Sequence, residues 1–103
     1  MISRQVAEGV QSQGVDERIA YIINVSNWGS SPTGVSVKAF DVTTGNYTDV
    51  TATNLSGSAS VAGNNITTPT VHGLTAGHMY RVEVLFVVSG NTLEAVIPIQ
   101  AER

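Results

Sequence analysis

The 103-residue chain contains no cysteine. This absence excludes disulfide bonds, thiolate metal ligands and cysteine nucleophiles together. Charged side chains are few, at 13% of the residues, and the net charge is -3. Because phosphate binding needs clustered Lys and Arg, the five scattered basic residues argue against nucleic acid as a partner. Packing and backbone pairing alone must therefore hold the fold, in a single domain over residues 1–103.

Long apolar runs are missing as well. The longest, VEVLFVV at residues 82–88, is interrupted by Glu83 and is far shorter than the roughly 20 residues of a membrane helix. The first ten residues, MISRQVAEGV, lack the charged, apolar and small-residue segments of a signal peptide. We therefore expect a protein that is made in the cytoplasm and has no membrane partner.

Alternation of apolar and polar residues with a period of two is the dominant pattern, and it indicates strands with one buried face. Turn-rich stretches separate the alternating runs every 8 to 12 residues or so, as in an antiparallel sandwich. The pattern predicts an all-β fold of seven or eight strands, near residues 3–9, 17–26, 34–42, 46–53, 57–62, 65–72, 78–89 and 92–101. The last two should form a hairpin through Ser89-Gly90-Asn91, whereas the register of residues 43–63 stays open.

The segment GLTAGHMYRVEVLF, residues 73–86, places Leu74, Gly77 and Tyr80 at short offsets before an alternating strand. In Greek-key sandwiches, a tyrosine near the start of the sixth strand hydrogen-bonds through its hydroxyl to backbone a few residues upstream. A glycine permits the turn before that tyrosine, and an apolar residue fills the space beneath the crossover. We assign these three residues, together with Trp28, a structural role in core packing.

The same segment resembles the Leu-x-Pro-Gly-Thr-x-Tyr-x-Val-x-Val pattern of fibronectin type III and related immunoglobulin-like modules, with departures at Ala76 and His78. Trp28, followed by Pro32, is similar to the tryptophan that covers one end of the core in those modules. The resemblance implies an immunoglobulin-like, fibronectin type III-like Greek-key sandwich.

Over nearly its whole length the chain is also similar to small fibre–tail adaptor proteins of tailed phages and prophages. The matching positions are Asp16, Glu17, Arg18, Tyr21, Trp28, Gly77, Tyr80, Val82, Gly90, Ile97, Ile99 and Arg103. This resemblance implies a non-catalytic structural component of a virion, associated with the tail or fibre and made in the bacterial cytoplasm. Its implied partners are other virion proteins or further copies of itself in a homo-oligomer.

No residue pattern indicates chemistry. His72 and His78 are the only histidines, and we interpret both as exposed residues of the predicted turn, because a metal site needs three or four ligands. The carboxylates stand singly along the strands, with Glu83 expected to pair with Lys38 or Arg81. Nucleophile-elbow, calcium-loop and phosphate-loop motifs do not occur. We expect no enzyme activity, no cofactor, no metal and no small-molecule ligand.

Alternation leaves five apolar side chains for the outer face of one sheet: Phe40, Val42, Leu85, Val87 and Val96. We expect them at one end of that face, with Lys38, Arg81 and Glu83 at the other end. A contiguous exposed apolar patch usually marks a protein contact, so these five are the predicted partner-binding residues. The alternative is that the N-terminal arm or residues 43–63 cover them.

Two other functions stay open. The chain could be a fibronectin-like accessory binding module of a secreted bacterial adhesin or glycan hydrolase, contacting carbohydrate through the exposed aromatics Tyr47 and Phe40. A small hydrolase ranks last, since the sequence offers no nucleophile with its supporting groups.

Overall fold

The computed structural model describes residues 2–5 and 9–103, with side chains from residue 9 onward. Within these residues the chain forms eleven strands and one short helix. No helix of the described residues is long and apolar enough to cross a membrane. The strands are β1 (Ile2–Gln5), β2 (Gln11–Gly14), β3 (Ile19–Asn24), β4 (Thr33–Asp41), β5 (Thr48–Asp49), β6 (Leu55–Ser56), β7 (Ser60–Ala62), β8 (Asn65–Thr67), β9 (Thr70–Val71), β10 (Met79–Val88) and β11 (Asn91–Glu102), and the helix is α1 (Thr51–Asn54).

The strands form two sheets, as an all-β sandwich requires. The first, called here the five-stranded sheet, has the order β2-β11-β10-β4-β5. The second has the order β6-β9-β3-β8-β7, with β1 paired beside β3. Strands β1 and β3 are parallel, as are β2 and β11, while the other recorded pairs are antiparallel. The N-terminal segment therefore contributes one strand to each sheet.

The core lies between the sheets and follows the predicted alternation. On β10 every second side chain is buried, namely Tyr80, Val82, Val84, Phe86 and Val88. Their partners from the other sheet include Ile19, Tyr21, Ile23 and Ile66. The predicted hairpin is confirmed: Val88 lies opposite Asn91, and Ser89 and Gly90 form a two-residue turn with φ values of 51° and 80°.

The segment from residue 46 to residue 62 differs from the prediction of two strands. It contains the two-residue strands β5 and β6, the helix α1 and the three-residue strand β7. Side chains explain the interruption: Thr51 donates its backbone N–H to Asp49 Oδ1 at 2.9 Å, and its hydroxyl accepts the backbone N–H of Ala39 at 3.0 Å. Short polar side chains that bond to the backbone in this way compete with a regular ladder.

Two further strands differ from the prediction. The predicted strand 65–72 is divided into β8 and β9 at Pro69, which has no backbone N–H to donate. There the hydroxyl of Thr68 accepts the backbone N–H of Tyr21 at 3.0 Å and continues the pairing. The predicted strand 3–9 corresponds to β1, and its residues 6–8 lie outside the described residues.

Strand β2 was not predicted, because its sequence QSQG has no apolar alternation. It is held by Gln13, a fully buried residue whose side-chain amide donates to the carbonyl of Val71 at 2.8 Å and to that of Glu17 at 3.1 Å. The amide oxygen accepts the hydroxyl proton of Tyr21 at 2.8 Å. Since Val71 and Tyr21 belong to the second sheet, this buried amide joins the edge of the five-stranded sheet to the opposite layer.

Replacing Gln13 with Leu should lower the free energy of unfolding by about 2 kcal/mol or more, because it deprives two buried polar groups of the amide. Urea denaturation of the wild type, Gln13→Leu, Tyr21→Phe and the double variant measures the effect. We expect the double variant to lose less than the sum of the single losses, since both substitutions break the same hydrogen bond. Additive losses would show that the two side chains act independently.

Candidate interaction surfaces

The turn before β10 is built around the hydroxyl of Tyr80. That side chain is buried, and its oxygen accepts the backbone N–H of Thr75 at 2.9 Å, five residues upstream. Gly77 has a φ of 82°, and the N–H of His78 donates to the carbonyl of Thr75 at 3.1 Å to close the turn. Positive φ at this position favours glycine. Leu74 is buried in the core cluster beside the turn.

Trp28 packs against the core through one face of its indole and is not itself a buried residue. Its side chain is 52% exposed, and one face of the indole lies over Phe86 with ring centroids 5.8 Å apart. At the next residue, Gly29, the backbone lies close to the core, since a Cβ there would meet Val88 Cγ1 at 2.0 Å. Phe86 and Val88 are buried at this end of the core, and the indole covers Phe86 from outside.

The outer face of the five-stranded sheet holds the predicted partner-binding residues, but their predicted separation from the charged residues is wrong. Arg81 lies opposite Phe40 on β4 and Pro98 on β11. In the next row, Glu83 lies between Lys38 and Val96. Leu85 in turn lies between Ser36 and Glu94. Charged and apolar residues are therefore interspersed across this face and do not occupy separate ends of it.

Exposure divides the predicted partner-binding residues. Leu85 is 39% and Val96 is 36% exposed, whereas Phe40, Val42 and Val87 are partly buried. Val42 follows the last residue of β4, and its N–H donates to the carbonyl of Met79 at 2.9 Å. Leu85 and Val96 are thus the most accessible apolar groups of the predicted set.

Tyr47 partly covers Phe40 and completes an aromatic–arginine cluster, defined as Phe40, Tyr47 and Arg81. The two aromatic rings are 5.8 Å apart, and the guanidinium carbon of Arg81 lies 5.6 Å from the centre of the Tyr47 ring. Tyr47 is 57% exposed. From sequence, Tyr47 is a candidate only for a sugar contact. Its place in this cluster depends on the loop between β4 and β5, and the sequence does not determine the conformation of that loop.

Carboxylates fix the guanidinium of this cluster. Arg81 Nε lies 2.6 Å from Glu83 Oε2, and Arg81 Nη2 lies 3.5 Å from Glu94 Oε1. The pairing of Glu83 with Arg81 confirms the expectation from sequence. The hydrogen bond to Glu83 raises the pKa of Arg81 above its ordinary value, against the opposing effect of burial. The cluster therefore presents a permanent, oriented cation beside two aromatic rings.

His78 lies in the turn before β10 with its side chain 40% exposed, and it also contacts the end of β4. Its Nδ1 lies 2.7 Å from Asp41 Oδ2, and Thr43 donates both its hydroxyl and its backbone N–H to Asp41 Oδ1. Burial raises the pKa of Asp41, but the hydrogen bonds from Thr43 and His78 together outweigh burial and lower that pKa below its ordinary value. The contact joins the turn before β10 to the end of β4.

The described side chains do not provide a set of metal ligands. Among residues 9–103, the structure brings together no three His, Asp or Glu side chains that could hold a metal ion. His78 and Asp41 form a pair on a solvated surface, and their partners are those of a structural contact.

Comparison with known proteins assigns no family. No family model matches the chain, and no curated protein matches it. Among solved structures the chain is similar to the solution structure of amebosin, with 11% sequence identity and a TM-score of 0.45 over 98% of this chain and 97% of that chain. A likeness of this degree indicates neither a shared family nor a shared function.

Replacing Tyr80 with Phe should lower the free energy of unfolding by about 1 to 2 kcal/mol, because it leaves the N–H of Thr75 without its acceptor. The matched control is Tyr47→Phe, which removes a hydroxyl from an exposed ring and should change stability by less than about 0.5 kcal/mol. Urea denaturation measures both. Equal losses in the two variants would contradict the role of the Tyr80 hydrogen bond.

The Asp41 contact should make stability fall on acidification. A carboxyl whose pKa is lower in the folded state than in the unfolded state stabilises the fold at pH values above the unfolded pKa of about 3.9, and this contribution is lost as pH falls through the folded pKa. The difference in unfolding free energy between the wild type and Asp41→Asn should therefore shrink as pH falls from about 5 to about 3.

Urea denaturation at pH 7, 5 and 3 gives that difference. Thr43→Val removes the hydroxyl donor to Asp41 and leaves the backbone donor in place, and it also removes the acceptor of the Met79 N–H. Because the loss of that acceptor does not depend on pH, only the pH-dependent part of its effect is compared, and this part should be smaller than in Asp41→Asn. A difference that grows from pH 5 to pH 3 would refute the assignment.

Proposed function

We propose that this chain is a non-catalytic module for protein–protein contacts, of the immunoglobulin-like, fibronectin type III-like Greek-key type. The pairing of β10 with both β4 and β11, and of β3 with β8 and β9, supports that type. So does the hydrogen bond of Tyr80 to backbone upstream, at the turn that leads into β10.

The observation that carries the contact function is the outer face of the five-stranded sheet. It presents the aromatic–arginine cluster together with exposed Leu85 and Val96 on three paired strands. Tyrosine and arginine are enriched at protein interfaces, where they supply much of the binding energy. The ion pairs to Glu83 and Glu94 hold Arg81 in place, which reduces the conformational entropy lost on binding.

The biological setting that we propose is a virion of a phage or prophage, with the chain at the tail or fibre and in contact with other virion proteins or with itself. This proposal rests on the sequence resemblance to fibre–tail adaptors. Self-association is the part of this proposal that can be tested with the purified chain alone. In an isologous dimer each residue of this face meets the same face of its partner, so one substitution changes the interface twice.

A second candidate is the accessory binding module of a secreted bacterial adhesin or glycan hydrolase. The exposed aromatic side chains of Trp28 and Tyr47 favour it. Gene order separates the two settings. Neighbouring genes for capsid, portal and tail proteins would support the virion, whereas a reading frame that continues into a larger secreted protein would support the accessory module.

Replacing Leu85 with Arg should weaken self-association by tenfold or more, because it places a new cation on each side of the contact. Sedimentation velocity from about 10 μM to 1 mM measures the dimerisation constant of the wild type and the variant. Folding should be retained, because Leu85 points outward and lies opposite Glu94.

The matched control is Val61→Arg, the same kind of change at a side chain that is 42% exposed on β7 of the other sheet. It should leave dimerisation unchanged. A wild type that stays monomeric at 1 mM would overturn self-association. Equal weakening by both variants would remove the five-stranded sheet from the contact.

A further inference from the structure

Trp28 is an apolar platform that faces solvent. The chain has no other tryptophan. One face of the indole rests on Phe86, a core residue that is almost fully buried, and the side chain as a whole is 52% exposed. A large aromatic side chain that is supported on one face and open to water on the rest can take up a second flat apolar surface.

Three loops meet at this end of the sandwich and are connected to one another. The loop 25–32 bonds to the loop 63–64 twice, since Val25 N–H donates to the carbonyl of Asn64 at 2.8 Å and Ser31 N–H donates to Asn64 Oδ1 at 3.2 Å. The same loop lies against the hairpin turn, because Gly29 is in close contact with Val88. These contacts join the loop that carries the indole to both of its neighbours.

Positive φ values also occur in these loops. Ser31 has a φ of 54° and Ser89 a φ of 51°, and among the described residues they are the two non-glycine residues with positive φ. At Ser89 this is the geometry of the two-residue hairpin turn with Gly90, and at Ser31 the backbone N–H is bound by Asn64 Oδ1. Ser89 Oγ lies near Gly29, at 3.5 Å from the position of a Cβ there, so both serines belong to the loops that surround Trp28.

The chemistry of these loops is polar and uncharged. Residues 24–34, 62–66 and 87–93 contain no Asp, Glu, Lys, Arg or His. Their hydrogen-bonding side chains are hydroxyls and amides, such as Asn27, Ser30 and Asn91, while Asn64 Oδ1 already accepts the N–H of Ser31. Hydroxyl and amide groups both donate and accept, and they match the hydroxyls of a neutral ligand. The absence of charge disfavours phosphate, carboxylate and ammonium ligands, which bind best to an opposite charge.

We propose that the loops around Trp28 form a binding site for a neutral oligosaccharide. The apolar C–H face of a pyranose ring would stack on the exposed face of the indole, and the surrounding hydroxyls and amides would bond to the hydroxyls of the sugar. Sites of this kind combine an aromatic surface with a few placed polar groups. A protein partner fits less well, because a stable interface buries about 800 Å² on each side and the apolar part here is one indole. The site is separate from the five-stranded sheet face, and it makes the second candidate function specific.

The single tryptophan allows a direct test on the unmodified chain. We expect a saturable blue shift of its fluorescence with at least one of three neutral probes, cellotetraose, maltotetraose and tetra-N-acetylchitotetraose, with a Kd on the order of 1 mM. Trigalacturonic acid, which is anionic, should bind at least tenfold more weakly. No saturable shift with any neutral probe at about 50 mM would overturn the proposal, as would equal binding of the anionic probe.

Amide chemical-shift changes in two-dimensional NMR locate the site without using the fluorophore. Trp28→Ala should abolish the changes produced by the best neutral probe, and Trp28→Phe should weaken binding severalfold. Tyr47→Ala removes an equally exposed aromatic ring from the sheet face and should leave binding unchanged. Unchanged binding by Trp28→Ala, or loss of binding only in Tyr47→Ala, would refute the site. If Trp28→Ala does not fold, the comparison of Trp28→Phe with Tyr47→Ala decides.

Because sedimentation of Leu85→Arg tests a different surface, a monomeric chain that binds sugar and a dimeric chain that does not are distinguishable results. The first would retain the site at Trp28 and overturn self-association through the sheet. The second would retain the sheet contact and overturn the sugar site.

Discussion

Packing between two sheets must hold this fold without any covalent cross-link, and that constraint governs every polar group placed between them. A buried polar atom without a partner would cost about as much as a good hydrophobic contact contributes. Gln13 meets the constraint by bonding to groups of the opposite sheet with both ends of its amide. Among the described residues, no buried side-chain nitrogen or oxygen lacks a partner. The apolar side chains of both sheets can therefore pack around the hydrogen-bonded amide of Gln13.

The two candidate surfaces differ in chemistry. The outer face of the five-stranded sheet mixes fixed charges with aromatic and aliphatic groups, and its residues are set by strand register. The loops around Trp28 carry no charge, and loop contacts and positive φ values set their shape. A rigid sandwich can present both at once, because neither surface uses the residues that stabilise the other.

Periodicity predicts the regular part of this molecule well. Strands β10 and β11 and the hairpin between them follow from strict alternation and a glycine turn, and β3 follows from the apolar residues at positions 19, 21, 23 and 25. Strand β2 was not predicted because it carries no apolar pattern and its buried side chain is a glutamine. The short elements between β4 and β8 were not predicted, because short polar side chains there hydrogen-bond to the backbone. The alternation of apolar and polar residues gives no information about such bonds.

The candidate surfaces were harder to predict than the strands. Assigning faces along each strand placed Leu85 and Val96 outward correctly, but a pattern along one strand does not tell which residue of the next strand lies opposite. The resemblance predicts that Trp28 covers one end of the core, and the indole lies over Phe86. Neither periodicity nor resemblance tells that half of the side chain stays exposed.

The parallel pairing of β2 with β11 has a mechanical consequence. Four residue pairs, from Ile99 with Gln11 to Glu102 with Gly14, join the two strands. If β2 is drawn towards its N-terminal end while β11 is drawn towards its C-terminal end, the parallel directions make the two strands slide against each other along their length. All four pairs then bear the load together, in shear, whereas an antiparallel pair drawn in the same way would open one rung at a time. A component under tension along its own chain gains resistance from that geometry alone.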